Sequence, residues 1–421
     1  MLSKAIKCTT LKMWVIISVA NFLMVGCLGV LMRYKFLYTL PWINQKFLLH
    51  AHSHFAFTGW VTTALMVFFF AALHGYKAKD IFPKQEQLLL FSNLLISYLM
   101  LFSFAVSGYS VASIIFSFLA VVTSYIFVIY GWRLLSKHKV SKGAEVLFRS
   151  ALAFNLISSL GTFGLIFLKA THSSDLFSQT AAINFYLHFQ YNGWFLFGCM
   201  GLFIHIVQQH RRNDLLNSSW FKGYAISVFP TYFLSIFWLK DVGGFVLLAI
   251  FLALVFQLIF WVRLILSLFN SRAYLKNENG ALLKHWKIVL ICIGFALVLK
   301  LLLQMVSLMP GVSEIVYGFR PVVIAYLHLV LLVIVSMFLL IYGLSQLEVS
   351  GNPAVKFSIY LLLIAVWLNE GFLVCQVLAG ILKFNVLGTH QGLLYVSLGI
   401  VLSLAVIFIN VFRKPKYQMV K

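Results

Sequence analysis

Residues 48–73 read LLHAHSHFAFTGWVTTALMVFFFAAL, a long apolar run that contains no Asp, Glu, Lys or Arg. An α-helix rises about 1.5 Å per residue, so about 20 apolar residues cross the ~30 Å hydrocarbon core of a bilayer. The run therefore predicts a membrane-spanning helix. Its polar side chains, three histidines among them, are concentrated in its first half.

Similar apolar runs recur along the whole chain of 421 residues, which is 62% hydrophobic and only 10% charged. A soluble domain carries roughly 25% charged residues. The loops between the runs are short, and nothing indicates a separate soluble domain. The sequence predicts an all-α polytopic membrane protein with one transmembrane domain over 1–421. Its twelve predicted helices lie near 12–32, 48–73, 87–107, 110–132, 146–168, 180–207, 222–238, 242–267, 285–307, 320–345, 355–381 and 387–412.

The distribution of basic residues predicts the orientation of these helices. Loops rich in Lys and Arg stay in the cytoplasm. With a cytoplasmic N-terminus, 24 of the 32 basic residues fall inside, including Lys4 and the tail 413–421. We therefore expect a bacterial inner-membrane protein with both termini in the cytoplasm. The net charge of +22 then indicates contact with anionic membrane lipid, and a nucleic-acid partner is not expected because the charge is spread over every inner loop.

An internal repeat links three of the predicted helices. HFAFTGW at 54–60 and HFQYNGW at 188–194 share the pattern H-F-x-(F/Y)-(T/N)-G-W, and 134 residues separate them. YLHL at 326–329 repeats the entry YLHF at 186–189 after a further 140 residues. Each interval contains four predicted helices. The chain is thus predicted to form three pseudo-symmetric four-helix arcs around an axis along the membrane normal.

The histidines of this repeat, His54, His188 and His328, are candidate metal or haem ligands. Histidine is costly in a bilayer unless it faces protein, water or a metal, and neutral imidazole binds haem iron, copper and zinc. All three are expected in the outer part of the membrane, together with His50, His52 and His390, which are candidate metal ligands. The alternative is that these side chains form hydrogen bonds in a packed bundle.

The run HAHSH at 50–54 limits what the second helix can bind. His50 and His54 lie four residues apart and share a helix face, whereas His52 is turned about 200° from both. The three side chains therefore cannot all bind one metal. His54 is the best ligand candidate, because it is the one that the repeat matches.

Three other intramembrane side chains stand out. Trp60 and Trp194, six residues after their histidines, are expected either to pack on a porphyrin face or to fill the core. Glu370 lies beside Asn369 in the middle of the eleventh predicted helix and is a candidate proton carrier. The alternative is a neutral Glu370 hydrogen-bonded to a neighbour. Lys300 in the ninth predicted helix is expected either to be its partner or to extend outwards to the membrane surface.

With these features, the sequence resembles the haem–copper oxidase superfamily, the catalytic subunits of respiratory oxidases and nitric oxide reductases, and their NnrS-like relatives. The resemblance rests on twelve helices in three arcs, on histidines in helices two, six and ten, and on the histidine-rich start of the second helix. It implies a respiratory oxidoreductase that acts on oxygen or nitric oxide. An electron donor or partner subunit on the outer side is implied as well.

The resemblance also implies a ligand set. A b-type haem would be held between His54 and His328, and His188 occupies the helix whose histidine binds copper in the oxidases. For a divergent member of the superfamily, we expect copper to be bound by His188 with His390 and either His50 or His52, where His390 has no counterpart in the oxidase pattern. The sequence departs from the oxidases in the seventh predicted helix, where they carry two adjacent histidines and 221–239 has none. Two other function classes stay open, a proton-coupled transporter of metal or small solutes and a non-catalytic scaffold that kept the fold.

Overall fold

The computed structural model is helical almost throughout and contains no β-strand in the residues that it describes, which are 9–209, 215–236, 243–270, 282, 285–309, 311–347, 349–384 and 388–413. Ten helices in this part of the chain are long and apolar enough to cross a membrane. The prediction of an all-α polytopic membrane protein is therefore confirmed. Several predicted inner basic residues, among them Lys4, Arg211 and Lys416, lie outside the described residues.

The helices follow the predicted runs closely. The ten spans are α1 Leu11–Leu37, α2 Gln45–His74, α3 Lys84–Ser107, α4 Val111–Lys137, α5 Lys142–Ala170, α8 Gly244–Asn270, α9 Lys287–Val306, α10 Arg320–Gln346, α11 Pro353–Leu382 and α12 Thr389–Phe412. Helix α6 covers 176–209, and α7 runs over Ser218–Thr231 into a 3₁₀ turn at Tyr232–Ser235. These two occupy the sixth and seventh predicted positions.

Short polar caps explain how the chain turns between such long apolar helices. Asn44, Ser141 and Asn352 each accept a hydrogen bond from a backbone N–H in the first turn of α2, α5 and α11. Such side chains satisfy N–H groups that have no partner within the helix. Gly75 ends α2 in the left-handed conformation, with φ of 68°, which glycine adopts without steric cost.

The chain divides into two compact units. Unit 1 comprises 1–127, 285–290 and 336–421, and unit 2 comprises 128–284 and 291–335. Within unit 1, α1 packs on α2 and α12, α2 packs on α3, and α11 packs on α12. Within unit 2, α5 packs on α6 and α7, and α7 packs on α8. A single domain over 1–421 and its grouping into three arcs remain predictions.

Three helices change from α-helical to π-helical geometry in mid-course. The π segments are Ala56–Thr62 in α2, Phe189–Phe195 in α6 and Leu329–Ser336 in α10. π-helices are rare, occur mostly as single-turn insertions and are frequent at functional sites. Each segment begins one or two residues after a histidine of the repeat. The third member of the repeat was indicated only by the four residues YLHL at 326–329. Like the other two members, it is followed by a π segment.

Candidate functional site: the histidines at the π segments

Buried amides from neighbouring helices hold the π segment of α2 in unit 1. Asn21 of α1, which is fully buried, donates from Nδ2 to the Gly59 carbonyl. The Tyr98 hydroxyl donates in turn to Asn21 Oδ1 at 2.9 Å. From α3, Asn93 Nδ2 donates to the Thr58 carbonyl at 3.2 Å. Irregular backbone inside a membrane needs such partners, because no water is present to bind its polar groups.

His54 stands at the entry to this segment and packs against α3. Its ring is stacked on Phe104, with centroids 4.3 Å apart, and its Nε2 lies 3.4 Å from the Tyr109 hydroxyl. The Thr58 hydroxyl donates to the His54 carbonyl at 2.8 Å. His50 makes an edge contact with the same Tyr109, at 4.6 Å between centroids. The predicted shared face of His50 and His54 is therefore confirmed.

His52 faces the other way, as its helical position predicts. Its Cε1 lies 3.7 Å from the point where a Cβ on Gly29 of α1 would stand. The three histidines of the run are thus divided between α3 and α1.

His188 in unit 2 is tied to protein at both ring nitrogens. Its side chain is only 3% exposed. Nε2 donates to the Val228 carbonyl at 2.9 Å, and Nδ1 accepts from Asn192 Nδ2 at 3.2 Å. A carbonyl can only accept, so the tautomer carries its proton on Nε2. A metal bound at either nitrogen would break one of these hydrogen bonds.

The Val228 carbonyl is available to His188 because α7 ends in a 3₁₀ turn. In a continued α-helix this carbonyl would accept from the Tyr232 N–H, but that N–H is directed to the Phe229 carbonyl instead. The Thr231 hydroxyl is the second donor to Val228, at 2.8 Å.

The repeat extends beyond the seven-residue motif. Asn155 in α5 follows Asn21 by the same 134 residues that separate His188 from His54, and it accepts from Gln190 of the second π segment at 3.3 Å. Tyr232 follows Tyr98 by the same interval, and its hydroxyl also bonds a neighbouring helix. Each π segment of these two helices therefore has an asparagine on the preceding helix and a tyrosine on the following one.

Lys300 adds a positive group to the interior of unit 2. It is 3% exposed, donates to Gln304 Oε1 at 3.0 Å, and is close enough to His188 for electrostatic interaction. It does not extend outwards to the membrane surface. An ionisable side chain held inside a membrane bundle is a functional candidate by default.

His328 in unit 2 has the orientation of a ligand histidine. Its Nδ1 lies 2.8 Å from the Ile324 carbonyl, which fixes the proton on Nδ1. Nε2 then carries the lone pair. A backbone carbonyl bonded to one ring nitrogen is the usual way in which proteins orient a metal-binding histidine.

The two tryptophans are packed into protein. Trp60 is stacked on Phe22 at 4.6 Å and donates from Nε1 to Ser336 Oγ at 2.8 Å. Trp194 is buried as completely as Trp60. Phe22 covers one face of the Trp60 ring, so on that face Trp60 fills the core and does not pack on a porphyrin.

Glu370 is held in unit 1 by polar neighbours. It is 7% exposed, Asn369 Nδ2 donates to its Oε1 at 3.1 Å, and Arg33 of α1 interacts with it electrostatically. Lys300, the partner that the sequence suggested, belongs to unit 2. His390 lies at an exposed position of α12, where Gln376 Nε2 is 3.3 Å from its Nδ1.

The described residues fit the two predicted cofactors differently. Among them, no three or more His, Cys, Asp or Glu side chains are grouped so that they could hold a metal ion. With both nitrogens of His188 engaged, this histidine does not fit a copper ligand. His328 has the proton arrangement that a ligating histidine needs, and the 3.4 Å contact of His54 is long for a hydrogen bond and costs little to break.

Sequence reasoning missed the side chains that hold the π segments and the charge beside Glu370. It also missed a partly buried pair in unit 1, where Nε2 of the half-buried His74 lies 2.7 Å from Oε1 of the fully buried Glu86. The 134-residue spacing, applied to Asn21 as well as to His54, would have identified Asn155. No motif in the sequence around Asn93 indicates its bond to the π segment, and none around Arg33 indicates its interaction with Glu370.

Comparison with protein-family models found no match to this sequence, and comparison with curated proteins found none either.

Proposed function

We propose that the protein is a haem-binding redox protein of the membrane that acts on oxygen or nitric oxide. The observation that carries this proposal is the placement of a histidine at the entry to each of three π segments in membrane helices. Histidine and irregular backbone are both costly within a bilayer. A fold that combines them three times at one helical position favours a role for the imidazoles.

His328 has the geometry that supports the proposal best. With its Nδ1 proton directed to the Ile324 carbonyl, the imidazole presents Nε2 in a fixed orientation. That arrangement raises the basicity of the ligating nitrogen and limits rotation of the ring. A haem whose iron is bound by one histidine would supply one-electron chemistry and a position for a diatomic gas, whereas ligation by two histidines would leave one-electron transfer alone.

His54 is the second histidine that the family resemblance names. Phe104 supports one face of its ring, so the imidazole keeps its orientation if the contact with Tyr109 is exchanged for another partner. His188 differs, because its two hydrogen bonds give it a structural role in unit 2. Copper ligation would disrupt them, so the proposed function does not include copper.

Glu370 is the residue that we propose to carry protons. Its carboxyl is buried in α11, and Asn369 and Arg33 can stabilise it when it is charged. A carboxyl that is tolerated in both protonation states inside the membrane is what a proton carrier requires.

The test is a reduced-minus-oxidised absorption spectrum of the protein purified in mild detergent from haem-replete cells. Extraction into alkaline pyridine identifies the haem type. We expect a haem signal that is lost in His328→Ala and weakened or lost in His54→Ala. It should persist in His188→Gln.

His172→Asn is the matched control. His172 lies in a loop with φ of 52°, a conformation that Asn tolerates. It should keep the full signal. Protein without porphyrin, or equal loss of haem in His328→Ala and His172→Asn, would overturn the proposal and leave the transporter and scaffold classes.

A further inference from the structure

A cavity of about 820 Å³ opens at the end of unit 1 that the charge distribution places outside the cell. The segment that connects α1 to α2, with the first residues of α2, forms most of its wall, and the end of α3 closes the other side. Lys35, Lys46 and Trp42 come from the first wall, and Ala105 and Val106 come from the second. The volume lies within the range of pockets that hold small molecules.

The polar part of this wall is positively charged. Lys35 and Lys46 both line the cavity, and no acidic residue of the described part of the chain does. The Lys35 ammonium donates to the Leu40 carbonyl at 2.8 Å, which anchors it at the wall and leaves two of its three N–H groups for another acceptor. Basic residues are disfavoured on the outer side of a membrane protein. Two of them in one cavity wall therefore indicate an anionic ligand.

The remaining wall is apolar and lies where a membrane boundary is expected. Trp42 and Val106 are each 80% exposed, and both belong to the ends of membrane-spanning helices or to the loop between them. Tryptophan at such a position inserts its ring at the level of lipid headgroups. A ligand of this cavity would meet ammonium groups on one side and apolar side chains on the other.

We infer that this cavity binds the headgroup of an anionic phospholipid from the outer leaflet. The phosphate would lie between Lys35 and Lys46, and the start of an acyl chain would lie along Trp42 and Val106. Free phosphate is also an anion, but it has no apolar part that would contact the apolar wall. The lipid is therefore the occupant that the whole cavity fits.

The experiment measures lipid retention by native mass spectrometry after release from vesicles of phosphatidylglycerol and phosphatidylcholine. Each lysine near an anionic lipid strengthens binding roughly fivefold. We expect the double variant Lys35→Gln/Lys46→Gln to retain phosphatidylglycerol about 25-fold less well than the wild type, with phosphatidylcholine unchanged. Helical content by circular dichroism confirms that the variant is folded.

The matched control is Arg320→Gln/Lys383→Gln, which removes the same charge from exposed residues on the predicted outer side. It should retain phosphatidylglycerol like the wild type. Equal loss in both double variants would show general charge attraction and overturn the inference. A second arm adds inorganic phosphate, and displacement of the lipid by millimolar phosphate would assign the cavity to a soluble anion instead.

Discussion

Replacing Asn21 by Ala tests whether buried amides hold the π segment of α2. Asn21 is fully buried and connects two neighbours, because it donates to the Gly59 carbonyl and accepts from the Tyr98 hydroxyl. Alanine removes both hydrogen bonds and keeps the helix propensity of α1 high. Among the described residues, Asn93 is then the remaining side-chain amide that donates to the segment Ala56–Thr62.

The expected loss of stability follows from the number of bonds that are removed. Hydrogen bonds between membrane helices contribute on average about 0.6 kcal/mol each, with a maximum of about 1.7 kcal/mol. Two such bonds therefore correspond to a decrease of about 1–3 kcal/mol in the free energy of unfolding. In an unfolding equilibrium this is a change of roughly 5- to 150-fold.

The assay is reversible unfolding in mixed micelles with increasing sodium dodecyl sulfate, followed by circular dichroism. Ser97→Ala is the control, because Ser97 is equally buried and its bond among the described residues goes to the Asn93 carbonyl of its own helix. Such a bond adds little stability, so we expect a change below about 0.5 kcal/mol. In parallel, amide hydrogen exchange of 58–62 should accelerate in Asn21→Ala alone. If the two variants unfold alike and exchange at the wild-type rate, the amide does not hold the segment.

Two other substitutions test packing and charge. In Gly161→Ala the new Cβ would lie 2.5 Å from the Ala182 carbonyl oxygen and 2.6 Å from the Tyr186 nitrogen, so α5 and α6 must separate, and we expect a loss of about 1–3 kcal/mol in the same unfolding assay. In Gly294→Ala the new Cβ meets nothing within 4 Å, so this variant should be as stable as the wild type or up to about 1 kcal/mol more stable. Equal destabilisation of the two glycine variants would contradict this reasoning. Arg33→Gln removes the positive charge that interacts with Glu370, and we expect lower stability at a pH alkaline enough to charge this buried carboxyl, with little change at neutral or acidic pH, where burial keeps it protonated. The double variant Arg33→Gln/Glu370→Gln should recover most of the loss at alkaline pH, and a loss that is independent of pH would show that the pair does not interact.

The fold could be predicted from sequence because the bilayer sets the length of each helix. The run 48–73 corresponds to the helix Gln45–His74, and 389–412 lies within the last predicted run. The opposite orientations of His50/His54 and His52 were predictable for a similar reason, since 100° of rotation per residue is a property of the α-helix. Both predictions depend only on local geometry.

The π segments could not be predicted, because their stability comes from distant residues. Asn21 and Asn93 lie 38 and 35 residues from the carbonyls that they bind. Whether a turn adopts π or α geometry therefore depends on tertiary partners that no window of sequence contains. The partner of His188 was hidden in the same way, because the Val228 carbonyl is released only by the 3₁₀ turn that ends α7.

The third π segment shows that polar side chains within the segment are not what the three share. Leu329–Ser336 reads LVLLVIVS, so the Thr or Asn and the Gly of the other two segments have no counterpart in it. Its position directly after His328 is nevertheless the same. The common element is thus a widened turn next to a histidine, which changes the rotation of the imidazole relative to the part of the helix that follows. Neighbouring side chains bind the segments of α2 and α6, and Trp60 donates to Ser336 at the end of the segment in α10. The histidines differ in how their rings are bonded. Both ring nitrogens of His188 are bonded to protein, so a metal there would replace a hydrogen bond. At His328 the bond from Nδ1 to the Ile324 carbonyl gives the proton arrangement of a ligating imidazole, and haem ligation is therefore proposed for α10 and a structural role for the histidine of α6.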